Sequence, residues 1–196
     1  MNMIAGGRRV FPARTPRAII ACSVFEPEME ELRTADSDDV HIVYLEQNMH
    51  LTPHLLPGML QDEVDRAARW AEQIVLGYGL CSNGIVGVTA PKQGLVVTRA
   101  HDCVALFLGS IAEHNRLSRD NPGTYYLTRG WMEKAKDPLG ILENEYVPRM
   151  GRESAEWGAR EELKHYTRFV FIDTGSGDRE ALRARARANA EFFGKE

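Results

Sequence analysis

Short hydrophobic runs alternate with amphipathic stretches along this chain. Arg17–Ala21 (Arg-Ala-Ile-Ile-Ala), Val40–Leu45 (Val-His-Ile-Val-Tyr-Leu), Ile74–Gly77, Leu95–Thr98 and Phe169–Ile172 are apolar through their middles and read as strands. Helix signals lie between them. Glu26-Pro27-Glu28 opens a helix to about Arg33, with proline in a tolerated first-turn position and acids near the positive end of the dipole. From Gly58 to Ala71, Met59, Leu60, Val64, Ala67, Ala68 and Ala71 fall at helical spacing with charges between them. Asp102 is placed to cap a helix over Cys103–Leu117, which Asn121-Pro122-Gly123 breaks. Arg152–His165 and Asp178–Phe193 read as two further helices, and Tyr125–Met132 as irregular.

Strands that alternate with helices and are apolar at their centres belong in a parallel sheet covered on both faces. The expectation is an α/β three-layer sandwich, a mostly parallel sheet of about five strands in the doubly wound, Rossmann-like style. It forms a single domain over residues 17–196. Residues 1–16, with Arg8, Arg9 and Arg14, lack the apolar core of a secretory signal and read as a flexible leader.

Composition narrows the class. A chain of 196 residues suits one domain, burying roughly 70% of its unfolded surface. Apolar content of 43% and charged content of 27% are ordinary for a globular protein. A net charge of −4 gives no footprint for nucleic acid or an anionic membrane. No apolar run approaches the ~20 residues of a membrane span. Three cysteines, an odd number without an export signal, argue against a disulfide framework and for the cytoplasm. A homo-oligomer is compatible with all of this.

The cysteines carry the candidate chemistry. Each follows a predicted strand: Cys22 after the first, Cys81 after the third, Cys103 after the fourth. Loops at the carboxyl ends of parallel strands open on one edge, where ligands bind. His101-Asp102-Cys103 adds an imidazole two residues from a thiol. Cys22, Cys81, Cys103 and His101 form a metal-ligand set of the zinc type, in which a bound thiolate stays deprotonated and nucleophilic. The pattern looks like the zinc sites of thiol alkyltransferases in ligands, not in fold. An iron–sulfur cluster is a variant that needs a fourth ligand, His101 or one from outside. Two other readings stand beside it: buried packing cysteines and metal-free reactive thiols. Cys103, in the first turn of its helix, is expected to be the most acidic of the three.

Other residues are weaker candidates. Gly77-Tyr-Gly-Leu-Cys-Ser-Asn-Gly84 offers Gly79, Asn83 and Gly84 as a cofactor or phosphate cradle, with Arg99 as an anion partner. It matches neither G-x-G-x-x-G nor the Walker pattern. A turn that simply aims Cys81 into the cleft needs the same glycines. Asp173, after the fifth strand, is a candidate base or partner for His101, alongside His101 and Cys103 as catalytic groups. His50 and His54 are four apart, but Pro53 between them argues against a helix and a second metal site. His114 reads as a helix-surface residue. Tyr125, Tyr126 and Trp131 form an aromatic stretch that lines a pocket or packs in a core.

Ile20-Ala-Cys22, Gly77-Tyr-Gly-Leu-Cys-Ser-Asn-Gly84, Arg99-Ala-His-Asp-Cys103, Leu106-Phe-Leu-Gly-Ser110 and Asn121-Pro-Gly-Thr-Tyr-Tyr126 together resemble the family catalogued as the domain of unknown function DUF1638. The resemblance runs from about Ala18 to Gly194. It implies a one-carbon setting, because members are often found among proteins of corrinoid-dependent methyl transfer, including trimethylamine and glycine-betaine type methyltransferases. The expectation is a zinc–thiolate protein acting as an enzyme on a small thiol, amine or methyl carrier. The alternative is an accessory module that binds a metal, an iron–sulfur cluster or a corrinoid partner for a methyltransferase. The resemblance supplies no catalytic residue; the cysteines and His101 come from the residue pattern alone.

Overall fold

The computed structural model describes residues 15–33, 39–47, 52, 54–81 and 83–196. The leader expected over residues 1–16 lies outside them apart from Thr15 and Pro16, as do His50 and Pro53.

The first half of the chain builds a parallel sheet. Strand β1 (Arg17–Cys22) runs through a 3₁₀ turn at Ser23–Phe25 into helix α1 (Glu26–Glu31). Strand β2 (Val40–Leu45), helix α2 (Leu56–Ala67), strand β3 (Gln73–Gly77) and strand β4 (Val96–Val97) follow. The strand order is β2-β1-β3-β4, all parallel. Register pairs Cys22 with Leu45 and Ala21 with Gly77. Helix α2 begins earlier than its periodicity predicts, because Pro57 fits a first turn. It ends at Ala67 and buries the stripe Leu56, Leu60, Val64 and Ala67 against the sheet core with Ile20, Ile74 and Leu76.

The predicted helix over Cys103–Leu117 is two helices, α3 (Cys103–Phe107) and α4 (Ile111–Asp120). Gly109 takes a φ of +65° between them, which ends a helix cheaply only at glycine. Ser110 then restarts it, its Oγ accepting the Glu113 N–H at 3.1 Å. The spacing Ser110-Ile-Ala-Glu113 is the capping pattern that announces such a start.

The second half corrects the expectation of one sheet of about five strands. Tyr125 and Tyr126, read as irregular, lie in strand β5 (Thr124–Leu127). The predicted fifth strand, β6 (Arg168–Phe171), pairs with it in a separate two-stranded parallel sheet. The chain is thus mixed α/β with a four-stranded parallel sheet. Between β5 and β6 lie α5 (Arg129–Glu133), α6 (Pro138–Ile141), a π-helical segment at Leu142–Tyr146, α7 (Val147–Met150) and α8 (Arg152–Glu162). In the π turn the Val147 N–H reaches back five residues to the Leu142 carbonyl, and Pro148, which has no N–H to donate, follows it. Helix α9 (Arg179–Phe193) is capped by Asp178, whose Oδ1 accepts the Ala181 N–H at 3.0 Å.

This half has its own core of Leu139, Leu142, Ala155, Ala159, Leu163 and Phe193. A buried polar cluster ties it together. Asp137 is 0% exposed and accepts from Asn189 Nδ2 at 2.7 Å and Arg185 Nε at 3.0 Å. Asn189 Oδ1 in turn accepts the Leu139 N–H at 3.0 Å. Helix α5 joins the halves. A Cβ on Gly130 would overlap the carbonyl oxygen of Val24, so only glycine lets α5 lie on the turn after β1.

Candidate thiol site

The strand order creates the site. From β1 the chain moves to one side of the sheet to form β2, then crosses back to form β3 and β4 on the other. In open parallel sheets the crevice outside the carboxyl ends of such divergent strands is the ligand position. Cys22 is the last residue of β1, and Cys81 follows β3 by a short loop. That loop runs beside the one before α3. Leu80 donates its N–H to the Ala100 carbonyl at 2.9 Å, and Cys81 to that of His101 at 3.0 Å. Gly79 makes this possible, since a Cβ there would lie 2.6 Å from the Asp102 Cα.

All three cysteines line one cavity of about 20 Å³, with Val24, Phe25, Glu46, Leu56, Tyr78, Gly79 and Trp131. That is room for one water-sized body. Trp131 comes from the aromatic stretch, and Glu46 from the end of β2. The three cysteines that follow separate strands in the sequence therefore border one cavity. Among the described residues, however, no group of three or more His, Cys, Asp or Glu side chains is gathered tightly enough to hold a metal ion. The thiols face a common space without forming a finished ligand set.

The site is built for neutral thiols. Burial pushes the Cys22 thiol up to about 11, relieved in part by the Val24 backbone, with the nearby Cys81 adding to the rise. Burial, then the charges of Cys22, Cys81 and Asp102, hold Cys103 well above the ordinary thiol range. Cys81 is raised by burial, against the Gly79 backbone. Cys103 is thus not the acidic thiol its helix position suggests. Helix α3 is one short turn long, and desolvation outweighs its dipole.

Two features mark strain or unmet polarity here. Cys81 takes a φ of 46°, a left-handed conformation that glycine adopts without cost. Tyr78 is 3% exposed, and its hydroxyl faces the Cys22 thiol without a well-formed hydrogen bond among the described residues. Gln47, just past β2 and 1% exposed, also has no side-chain partner among them.

The remaining sequence candidates fall elsewhere. His101 is exposed and off the cavity lining, so the structure does not bring it to the thiols. Its neighbour Asp102 instead caps α3 through the Ala105 N–H and lies 3.5 Å from Nε2 of His114, a largely buried histidine rather than a surface one. Asp173 is bound by Arg179 at 2.7 Å and Arg183 at 2.8 Å, and these hydrogen bonds hold its carboxyl at about 2. It follows β6, off the main sheet. Arg99 and Asn83 are exposed. Gly84 is buried, and a Cβ there would strike Leu56 at 2.7 Å. The amides of Leu80, Cys81, Gly84 and Val86 all donate to carbonyls of the chain, which leaves them unfit as a phosphate cradle. Tyr78 was missed because a tyrosine between glycines reads as turn. Phe25 carries no signal beyond hydrophobicity.

A family profile described as "Protein of unknown function (DUF1638)" matches residues 44–196, so the chain belongs to that family. No curated protein and no solved structure matches it. Among the described residues no helix is long and apolar enough to cross a membrane.

Proposed function

We propose that the chain is a metal–thiolate protein in which Cys22, Cys81 and Cys103 together bind one thiophilic ion, zinc in the first instance. The single observation behind this reading is that cysteines from three separate segments of the chain line one ion-sized cavity at the switch point of the sheet. Cys81 occupies a backbone conformation that favours glycine, so its side chain is kept at a local cost. Neutral thiols in an apolar cavity suit a cation that supplies the missing charge, and a coordinated thiol is deprotonated outright. The donors fit zinc in kind; holding it requires the three sulfurs to draw closer together than they stand. Three cysteines fall short of the usual four of an iron–sulfur cluster.

When bound, zinc would keep a thiolate nucleophilic at neutral pH. The chain's own contribution is to exclude water with Phe25, Leu56 and Trp131 and to offer the Tyr78 hydroxyl as a hydrogen-bond donor beside Cys22. We assign this site to one-carbon transfer to or from a small thiol, amine or methyl carrier, in the corrinoid-linked setting that the family resemblance implies. The order β2-β1-β3-β4 supports a doubly wound, Rossmann-like reading of the sheet. Three free cysteines support a reducing, cytoplasmic location.

Elemental analysis of protein purified anaerobically without added metal tests the reading. The expected result is near-stoichiometric zinc, lost in Cys22→Ser, Cys81→Ser and Cys103→Ser chains. Iron and brown colour would move the site to a cluster. No metal in any preparation, with no zinc taken up on addition, overturns the metal reading. Co-purification with a corrinoid protein, and no turnover alone, would make the chain the accessory module rather than the enzyme.

A further inference from the structure

Phe25 has a second face. It lines the thiol cavity on one side and a larger cavity of about 310 Å³ on the other. Its ring stacks on that of Phe107 at 4.5 Å and 25°. The larger cavity has an apolar wall of Phe25, Met29, Leu106 and Phe107, and its size is at the lower end for small-molecule sites.

Glu28 stands in that wall and is only 9% exposed. Its Oε1 accepts the Thr174 hydroxyl at 3.2 Å, while Oε2 is buried with no hydrogen-bond partner among the described residues. The neighbouring cation Arg129 is engaged by Glu31 and Glu133. Glu31 also reaches the cavity lining, which carries no basic side chain. A carboxyl group left this way in an apolar wall is costly unless a donor, and best a positive one, meets it.

We propose that this cavity binds a small organic amine, its ammonium donating to the Glu28 carboxyl group as that side chain turns its unpartnered oxygen toward the cavity, and its hydrocarbon body lying against Phe25, Met29, Leu106 and Phe107. Two carboxylates on the lining disfavour an anion. A neutral alcohol satisfies the hydrogen bond but not the charge. The aromatic pair adds a surface that attracts cations. This site involves none of the three cysteines and stands without any metal.

Calorimetric titration of the full chain at neutral pH with benzylamine, benzyl alcohol and benzoate tests it. Benzylamine binds, benzyl alcohol binds about tenfold more weakly, and benzoate does not bind by ~10 mM. Glu28→Gln, which keeps the shape, removes the preference for the amine over the alcohol. Phe107→Ala weakens both. The Cys103→Ser chain binds benzylamine as the parent does, so failure of the metal reading leaves this result intact. Absence of benzylamine binding by ~10 mM, benzoate binding as tight as benzylamine, or an unchanged benzylamine affinity in Glu28→Gln each overturns the proposal.

Discussion

Gly130 packs directly on the backbone of Val24, so close that any side-chain carbon there would overlap the Val24 carbonyl oxygen. The next residue, Trp131, lines the thiol cavity, and Cys22 ends the strand two residues before Val24. One glycine therefore docks the second half of the chain onto the candidate site of the first.

Gly130→Ala has to push α5 off that turn. Overpacking of this kind costs about 1–3 kcal/mol or more, and each kcal/mol lowers the melting midpoint of a chain this long by ~2–4 °C. Gly158 in α8 is the control, with nothing within 4 Å of where its Cβ would be. Gly158→Ala gains helix propensity of ~0.5–1 kcal/mol and raises the midpoint. Thermal melts by circular dichroism therefore move in opposite directions for the two substitutions.

In metal-free protein, Cys22 should alkylate slowly. Its thiol is pushed from 9.0 to about 11, so its thiolate fraction at neutral pH is about a hundredfold below that of an ordinary thiol. The rate should climb about tenfold per pH unit across the alkaline range. Mass spectrometry of timed iodoacetamide reactions reads each cysteine separately. Fast Cys22 labelling at neutral pH would contradict the buried, neutral thiol.

Zinc affinity should rise steeply with pH. All three thiols are raised and stay protonated around neutrality, so binding must displace protons, and each proton released makes the apparent affinity rise with pH. Competition against a chromophoric chelator should show at least a tenfold gain per unit between about pH 6 and 8. A flat profile would mean the thiols are not the ligands.

Burial raises the Glu28 carboxyl above the ordinary range. The folded state therefore favours its protonated form, and this contribution to stability is complete at acid pH and lost as pH rises through the folded value. Glu28→Gln removes the loss. Its melting midpoint should exceed the parent's near neutrality and match it at acid pH, below the ordinary carboxylate range. A midpoint difference that does not change with pH would contradict the burial.

Asn189→Ala should be severe. It removes the donor to buried Asp137 and the acceptor of the Leu139 N–H. Stranding buried polar groups costs about 1–3 kcal/mol each, so urea midpoints should fall with an unchanged slope.

Much of the first half was legible residue by residue. The apolar run Val40–Leu45 matches β2 to the residue, and Asp102 caps the helix it precedes. These signals are local: a strand needs its own apolar run, and a cap needs its own oxygen. The Ser110-to-Glu113 capping pattern was equally local and would have split the helix that periodicity joined. The span from Tyr125 to Met150 was opaque for a different reason. Its elements are short, and β5 and β6 depend on pairing with each other across some forty residues of chain.

By itself the sequence determined that three cysteines follow strands and that these strands belong in a parallel sheet. Only the tertiary structure decided which residues share a site. Strand order comes from crossovers and long-range packing, which no local pattern encodes. That order gathers Cys22, Cys81 and Cys103 around one cavity, keeps His101 in solvent, and brings in Tyr78 and Trp131. Burial, which exists only once the chain is folded, then reverses the acidity expected of Cys103 and leaves Glu28 in an apolar wall.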